Sequence, residues 1–329
     1  MRKPATFPRH LAADPRQFAS VRRIVLCDGP EAGIETLAFS TGGGLDFWVT
    51  VGRLMDIATL SWRGVQLGWQ SPAGLRRPDA GPVDRERRFS TAFGGFLNTC
   101  GFDHIRQPAD GRPLHGSAPF TPARLIAYGE DWEASAPMLF CEGEALCWAH
   151  GGFGYRLHRR IEAPIGGNSL SLRDQVTVIG AEPAPIMALY HFNLGYPMIQ
   201  GSTIELDGER LAGSLSMPES AMVPASLHPA TSAQASCSVH GQAATIAFRW
   251  NTVELPWLQL WRDLRAGAGV MSIEPCSIGR LDDGRNAPSP QLKPGSSRIF
   301  AIDIDVTDGG AHGTAPSSST STDGAAGTL

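Results

Sequence analysis

The sequence predicts an all-β fold, a large antiparallel β-sandwich. About a dozen segments rich in β-branched and aromatic residues recur at roughly 10–12-residue spacing. Turn-forming residues separate them, since the chain holds 38 glycines and 25 prolines among 329 residues. No window carries the sustained i, i+3, i+4, i+7 apolar pattern of a long amphipathic helix.

The strand-like segments begin near Ile24 and continue almost to the end of the chain. Apolar and polar residues alternate most clearly in SLSLRDQVTV and RIFAIDIDV, which predicts sheets with one face in solvent. The other segments are RIVLCDGP, GIETLAFST, GLDFWVTVGRLMDIATLSW, ARLIAYGEDWEA, PMLFCEGEALCWAH, YRLHRRIEAP, APIMALYHFNLGYP, GSTIELDG, AATIAFRWN, WLQLWRDL and GVMSIEPCS.

Three regions follow from this pattern. Residues 1–24 are basic and polar and predict an N-terminal arm. Residues 25–306 predict one β-sandwich domain, large enough to bury a sizeable core. Residues 307–329 consist mainly of glycine, serine, threonine and alanine, so they predict a disordered tail.

Composition excludes several classes of function. A net charge of −4 provides no basic field for a phosphate backbone, so nucleic acid is not an expected partner. The only lysines are Lys3 and Lys293, both in turn-like or terminal text, which argues against Schiff-base and Walker-type chemistry. The six cysteines form no C-x-x-C pair, so the sequence predicts neither a zinc knuckle nor a thioredoxin motif. Neither a secretory signal nor a membrane-spanning apolar run is present, so we expect a cytoplasmic protein without a membrane partner.

Three segments place ionisable groups in apolar or turn-rich surroundings. His115 lies in GRPLHGSAP, His191 and Asn193 share one face of the strand LYHFNLGYP, and Glu274 ends the strand VMSIEPCS. A carboxylate at the end of a buried strand needs a hydrogen-bonding partner, and such surroundings can make it a general base. Taken singly, each segment is better explained by a satisfied core histidine or by a glutamate that bonds a turn, and the functional signal lies in the three occurring together.

The order of these motifs resembles the aldose 1-epimerase (galactose mutarotase) superfamily. The chain carries LHG, HFNLG and IEP in sequence, together with MDIATLSWRGVQLGWQSPAG at 55–74, FGGFLNTCGFDH at 93–104 and YHFNLGYP at 190–197. These stretches are most similar to a branch of the superfamily described only as a domain of unknown function. The resemblance spans about residues 25–306.

The resemblance implies a β-supersandwich of the galactose mutarotase type and an isomerase acting on carbohydrates. Glu274 would remove the proton of the anomeric hydroxyl, His191 would protonate the ring oxygen, and His115 would bind or polarise the sugar. This chemistry requires no metal ion and no cofactor. The implied partner is a small carbohydrate.

The chain departs from the galactose mutarotases near the first histidine, where they carry an arginine in an N-R-Y-type motif. Trp261 is expected either to form an aromatic wall for the sugar or to pack in the core. Arg53 and Asp56 either reach the mouth of the site or form an exposed ion pair. Cys100 is expected to pack rather than react. The other candidate sugar contacts are polar: Asn98, Thr99, Asp103 and Asn193.

Two other functions fit the same residues. His115, His191 and Glu274 are also the ingredients of a 2-His-1-carboxylate metal site, although none has the H-x-D/E neighbour common in such sites. A carbohydrate-binding protein without turnover is the other alternative, and a lyase or an epimerase at another carbon is a variant of the enzyme. Exposed strand edges need covering, and a homodimer is one way to do so.

Overall fold

A computed structural model describes residues 7–76, 89–90, 92–148 and 154–310. Its first ten strands are β1 (Ser20–Val25), β2 (Glu35–Ser40), β3 (Leu45–Thr50), β4 (Asp56–Trp62), β5 (Val65–Gln66), β6 (Leu97–Phe102), β7 (Ala123–Asp131), β8 (Met138–Trp148), β9 (Gly154–Pro164) and β10 (Ser169–Val178). The others are β11 (Ala184–Pro185), β12 (Met187–Leu194), β13 (Thr203–Leu206), β14 (Glu209–Ala212), β15 (Val223–Pro229), β16 (Gln234–His240), β17 (Ala244–Asn251), β18 (Trp257–Asp263), β19 (Val270–Cys276), β20 (Gln291–Leu292) and β21 (Ser297–Asp308). Four 3₁₀ turns lie at Arg9–Leu11, Pro15–Gln17, Gly29–Glu31 and Ala118–Phe120.

These strands form three large antiparallel sheets and one two-stranded ribbon. The first sheet has the order β1-β2-β3-β4-β5, and the second has nine strands in the order β14-β13-β16-β17-β21-β10-β9-β8-β7. The third sheet, β15-β18-β19-β12-β6, is called the site sheet below. Strands β11 and β20 form the ribbon.

The all-β prediction is confirmed, and the predicted strand segments correspond to paired strands. The long segment beginning at Gly44 divides into β3 and β4. The first strand begins at Ser20 and the last continues to Asp308, each slightly outside the range 25–306 predicted for the domain. Of the predicted tail, residues 311–329 lie outside the described residues.

One cluster of buried apolar side chains joins the three large sheets. The Phe192 ring of the site sheet lies 5.0 Å from that of Phe248 on β17. Similarly, the Tyr190 ring lies 6.1 Å from that of Phe300 on β21. Alternation makes this possible, since one face of β12 turns its apolar residues toward the nine-stranded sheet. The opposite face of the same strand is free to carry polar residues.

A buried polar bridge crosses the core beside these rings. The Arg159 guanidinium on β9 donates to Asp174 at 2.6 and 2.8 Å and to Asp56 Oδ1 at 2.9 Å. It also donates to the Thr99 hydroxyl at 2.9 Å, and Tyr190 donates to Asp174 at 2.7 Å. Burial opposes the charge of Arg159, but Asp174 and Asp56 hold its pKa above the usual value. The bridge therefore neutralises a buried cation and ties the nine-stranded sheet to β4 and the site sheet.

No helix in the described ranges is long and apolar enough to cross a membrane.

All six cysteines are free, and only Cys27 is exposed. Cys100 belongs to a small apolar cluster with Phe89, Ile105 and Leu189, and burial raises its pKa well above the usual value. It therefore packs as an inert thiol.

Candidate active site

The candidate site is built on one face of the site sheet. Strand register sets His191 opposite Asn98, Glu274 opposite Gln259, and Ser272 between Asn193 and Trp261. These positions are separated by two residues along each strand, so their side chains emerge on the same face. The fold thus gathers polar residues from four neighbouring strands.

His191 and Glu274 line the same cavity, which has a volume of about 340 Å³. His191 Nε2 lies 3.2 Å from Glu274 Oε1, although the two residues are 83 positions apart in the chain. The Glu274 carboxylate is fully buried and the His191 side chain is 4% exposed. The two groups proposed from sequence as base and acid are therefore in direct contact at a sheltered site.

Two neutral donors hold the carboxylate in place. Ser272 Oγ donates to Glu274 Oε1 at 2.5 Å, and Gln259 Nε2 donates to Oε2 at 2.5 Å. A buried carboxylate is tolerated when its oxygens accept hydrogen bonds. Both donors are uncharged, so they fix the direction of the carboxylate without placing a cation against it.

Asn193 fixes the other partner. Its side-chain nitrogen donates to the Gly95 carbonyl at 2.9 Å and to Asn98 Oδ1 at 3.0 Å. A carbonyl can only accept, so Asn193 Oδ1 must be the atom that faces His191 Nδ1, at 2.6 Å. His191 Nδ1 therefore carries a proton, and Nε2 is the nitrogen that faces Glu274.

Arg106 supports Gln259 from behind. Its Nε donates to Gln259 Oε1 at 2.7 Å, which fixes the orientation of the amide toward Glu274. Its remaining N–H groups also have acceptors: the Gly279 and Ile278 carbonyls, Asn286 Oδ1 and Cys276 Sγ. With every donor occupied, Arg106 acts as a structural support for the site.

His115 is the second histidine that lines the cavity. Its φ of +63° is unusual for a residue other than glycine, and its backbone is held by the Arg106 carbonyl and the Gly101 N–H. The buried Nδ1 has no hydrogen-bond partner. Burial lowers the pKa of His115 well below its ordinary value, and the charges of His191 and Arg106 lower it further. His115 is therefore a neutral imidazole beside His191, with ring centroids 5.6 Å apart.

Aromatic rings form the walls of the cavity. The ring centroids of Trp261 and His191 lie 5.9 Å apart. The ring centroid of Phe93 lies 5.2 Å from that of His191 and 6.1 Å from that of Trp261. Phe89 packs 4.5 Å from His115. Of the two sequence interpretations of Trp261, the structure places it on the cavity wall. Residues at the mouth include Gln107, Met222, Arg280 and Gly284.

Several predicted sugar contacts lie elsewhere. Thr99 and Asp56 belong to the buried bridge, where Thr99 donates to Asp56 at 2.7 Å. Asp103 accepts from the backbone and hydroxyl of Ser117 and so closes a loop. Arg53 is 4% exposed and lines a different cavity, so it neither reaches the mouth nor forms an exposed ion pair with Asp56. Asn98 and Asn193 lie one layer behind His191 and support it.

Gln259, Ser272, Arg106 and Phe93 were not identified from the sequence. Gln259 shares the alternation of WLQLW with Trp261, so the pattern could have placed the two on one face. Its pairing with Glu274 depends on strand register, which the pattern alone does not reveal. In the parts of the chain that the structure describes, no three His, Cys, Asp or Glu side chains converge as ligands for a metal ion.

Comparison with known families extends this picture. The sequence profile of a domain of unknown function, DUF4432, matches residues 31–214, which is more than half of the chain. The chain belongs to the DUF4432 family. The matched range of this DUF4432 protein includes His115 and His191, whereas Glu274 lies beyond it. No curated protein matches the sequence.

Several solved structures of other proteins have a fold similar to that of this DUF4432 protein. A protein of Klebsiella pneumoniae provisionally named aldose 1-epimerase aligns with a TM-score of 0.69 and 20% identity, covering 87% of this chain and 83% of its own. A galactose mutarotase-like protein of Clostridium acetobutylicum has a TM-score of 0.59 and 11% identity, with 88% and 98% covered. A provisionally named mutarotase of Salmonella typhimurium has a TM-score of 0.59 and 15% identity, with 88% and 94% covered. At these identities the likeness establishes a shared fold, which confirms the predicted β-supersandwich.

Proposed function

We propose that this protein interconverts the α and β anomers of a free aldose by general acid–base catalysis. The observation that supports it is the contact between Glu274 Oε1 and His191 Nε2, 3.2 Å apart in a cavity with aromatic walls. Glu274 acts as the base, His191 as the acid, and neutral His115 as a polar contact for the sugar.

The reaction follows from the positions of the protons. Glu274 takes the proton of the anomeric hydroxyl while His191 Nε2 delivers a proton to the ring oxygen, so the C1–O5 bond breaks and a C1 carbonyl forms. Rotation about C1–C2 presents the other carbonyl face to the ring oxygen. Reversal of the two proton transfers closes the ring as the other anomer and restores both side chains.

The hydrogen bond from His191 to Asn193 supports the assignment of His191 as the acid and Glu274 as the base. Because Nδ1 is already a donor to Asn193, the proton that His191 delivers to the ring oxygen is carried by Nε2, the nitrogen that faces Glu274. The ion-paired form, imidazolium beside carboxylate, has one acid and one base ready for the sugar. A sugar that enters between them replaces their contact with one hydrogen bond to each.

The walls fit a pyranose or furanose ring. Trp261 and Phe93 offer apolar faces on which the C–H side of a sugar can pack. Their packing restricts water around the carboxylate, which strengthens the interactions of charged groups with the reacting atoms.

The test is anomer exchange measured by NMR saturation transfer over a panel of free aldoses. We expect the wild type to accelerate exchange of at least one sugar, and Glu274→Gln and His191→Gln to lose ~10²–10⁴-fold of that rate. Matched controls are Glu209→Gln and His10→Gln, which remove an exposed carboxylate and an exposed imidazole. Both controls should keep the wild-type rate.

Two outcomes would reject the proposal. If the wild type binds a sugar while exchange stays at the spontaneous rate, the protein is a carbohydrate-binding protein. If exchange is lost on treatment with a chelator and restored by a stoichiometric metal ion, the site is a metal enzyme.

A further inference from the structure

A second cavity lies outside the candidate active site. It has a volume of about 280 Å³ and shares no lining residue with the cavity of His191 and Glu274. Apolar side chains form part of its lining, among them Ile34, Val51 and Leu75. Two arginines, Arg53 and Arg76, also line it.

Arg53 is a buried cation without a carboxylate partner in the described chain. Its side chain is bonded only to the Ala92 and Gly94 carbonyls, at 3.1 and 2.7 Å, and its buried Nε has no partner. Burial lowers the pKa of Arg53, and the charge of Asp56 opposes this shift. Buried guanidinium groups are ordinarily balanced by a hydrogen-bonded anion, as Arg159 is in this same protein.

The described residues that line the cavity carry more positive than negative charge. Arg76 is exposed and forms no ion pair with any described residue. Glu35 is the one carboxylate among the described lining residues, and it is already paired with Arg23 at 2.9 Å. Neither Arg53 nor Arg76 is therefore ion-paired with a carboxylate of the described chain.

We propose that this second cavity binds a small organic anion whose carboxylate or phosphate pairs with Arg53 and Arg76. The apolar body of the anion lies against the side chains of Ile34 and Leu75. An oxyanion balances the charge of Arg53, which no described carboxylate pairs with. This proposal does not depend on the proposed epimerase activity.

Arg53 also connects the two cavities. The carbonyls that it holds belong to Ala92 and Gly94, which flank Phe93 on the wall of the active-site cavity. A ligand at Arg53 thus contacts the side chain that anchors this part of the wall.

The test is direct binding by isothermal titration calorimetry. Benzoate and phenyl phosphate serve as probes, because they carry the two oxyanions on the same apolar ring, and benzyl alcohol is the neutral control. We expect saturable binding of at least one anion and none of benzyl alcohol; the tighter of the two identifies the preferred headgroup. Arg53→Gln and the exposed Arg76→Gln should each weaken binding about tenfold or more, whereas Arg22→Gln, an exposed arginine elsewhere, should not.

The location of binding is checked with Arg280→Gln, which alters the only exposed cation at the mouth of the other cavity among the described residues. Unchanged affinity in this variant supports the second cavity. The proposal is overturned if Arg76→Gln binds both anions as tightly as the wild type, if benzyl alcohol binds equally, or if Arg280→Gln abolishes binding. Arg76→Gln decides the question should Arg53→Gln fail to fold.

Discussion

Asn193 Oδ1 lies 2.6 Å from His191 Nδ1, and the Gly95 carbonyl on the far side of the amide determines which atom faces the imidazole. This one contact makes Nδ1 a donor and leaves Nε2 facing Glu274. In the proposed mechanism Asn193 is thus a positioning residue, because it acts on substrate only through His191.

Replacing Asn193 should affect catalysis more than binding. We expect Asn193→Ala to lower kcat for anomer exchange about 10–10²-fold, because the imidazole loses its fixed tautomer, with a smaller effect on KM. Asn193→Asp should keep the acceptor and recover part of the rate. The added carboxylate favours the imidazolium, so the alkaline limb of the pH–rate profile should move to higher pH.

Steady-state NMR kinetics between pH 5 and 9 would measure both effects. A purely structural role for Asn193 predicts instead that both variants lose stability and that the shape of the profile does not change. That result would remove Asn193 from the mechanism.

Thr99 should be a stability residue. Its hydroxyl donates to Asp56 and accepts from Arg159, so Thr99→Val leaves two buried charged groups short of a partner. We expect a loss of ~1–3 kcal/mol in the free energy of unfolding, with kcat and KM unchanged at a temperature where the variant is folded. Urea denaturation and kinetics on the same preparation test this, and a raised KM would return Thr99 to the sugar-binding site.

The assignment of Thr99 shows where the sequence is insufficient. Neighbouring residues of a strand point to opposite faces, so Asn98 and Thr99 lie on opposite faces of β6, although the sequence predicts both as sugar contacts. All six residues of this strand are buried, however, so neither burial nor polarity reveals which face looks into the cavity. Only the neighbours of the strand settle it, and these depend on long-range pairing.

The pairing of His191 with Glu274 was predictable for a different reason. The order of the motifs identified the family fold, and the fold supplies the adjacency of β12 and β19. The strand pattern of SLSLRDQVTV and similar segments likewise predicted the sheets, since alternating burial depends on local sequence. Contacts such as Gln259 with Glu274 required register as well, and no local pattern specifies register between strands with two buried faces.

His115 should make the fold sensitive to acid. Its pKa in the folded protein lies well below the ordinary value of 6.5, whereas the unfolded chain titrates near that value. Below pH 6.5 the unfolded state therefore binds a proton that the folded state does not, and stability falls as the pH decreases. The contribution amounts to at most about 1.4 kcal/mol per pH unit for one proton.

The comparison is between wild type and His115→Gln, with unfolding followed in urea from pH 5 to 7.5. We expect the difference in unfolding free energy to shift in favour of the variant as the pH falls below 6.5. His10→Gln is the control, because His10 is exposed and its loss should leave the wild-type curve unchanged. Parallel curves for wild type and His115→Gln would show that the folded protein accepts the proton at His115.

Gln259 should influence the protonation of Glu274, the proposed base, through its hydrogen bond to the carboxylate. Its amide donates to Glu274 Oε2 and accepts from Arg106 Nε, so it links a buried cation to the carboxylate. Gln259→Met removes both bonds at similar volume, which disfavours the charged form of the carboxylate. We expect the acid limb of the pH–rate profile to move to higher pH, while the alkaline limb keeps its position because His191 and Asn193 are unchanged.

Gln259→Glu keeps the acceptor for Arg106 but places a second carboxylate against Glu274, so its acid limb should move further in the same direction. If both variants keep the wild-type profile and lose only stability, the link from Arg106 to Glu274 serves the fold alone.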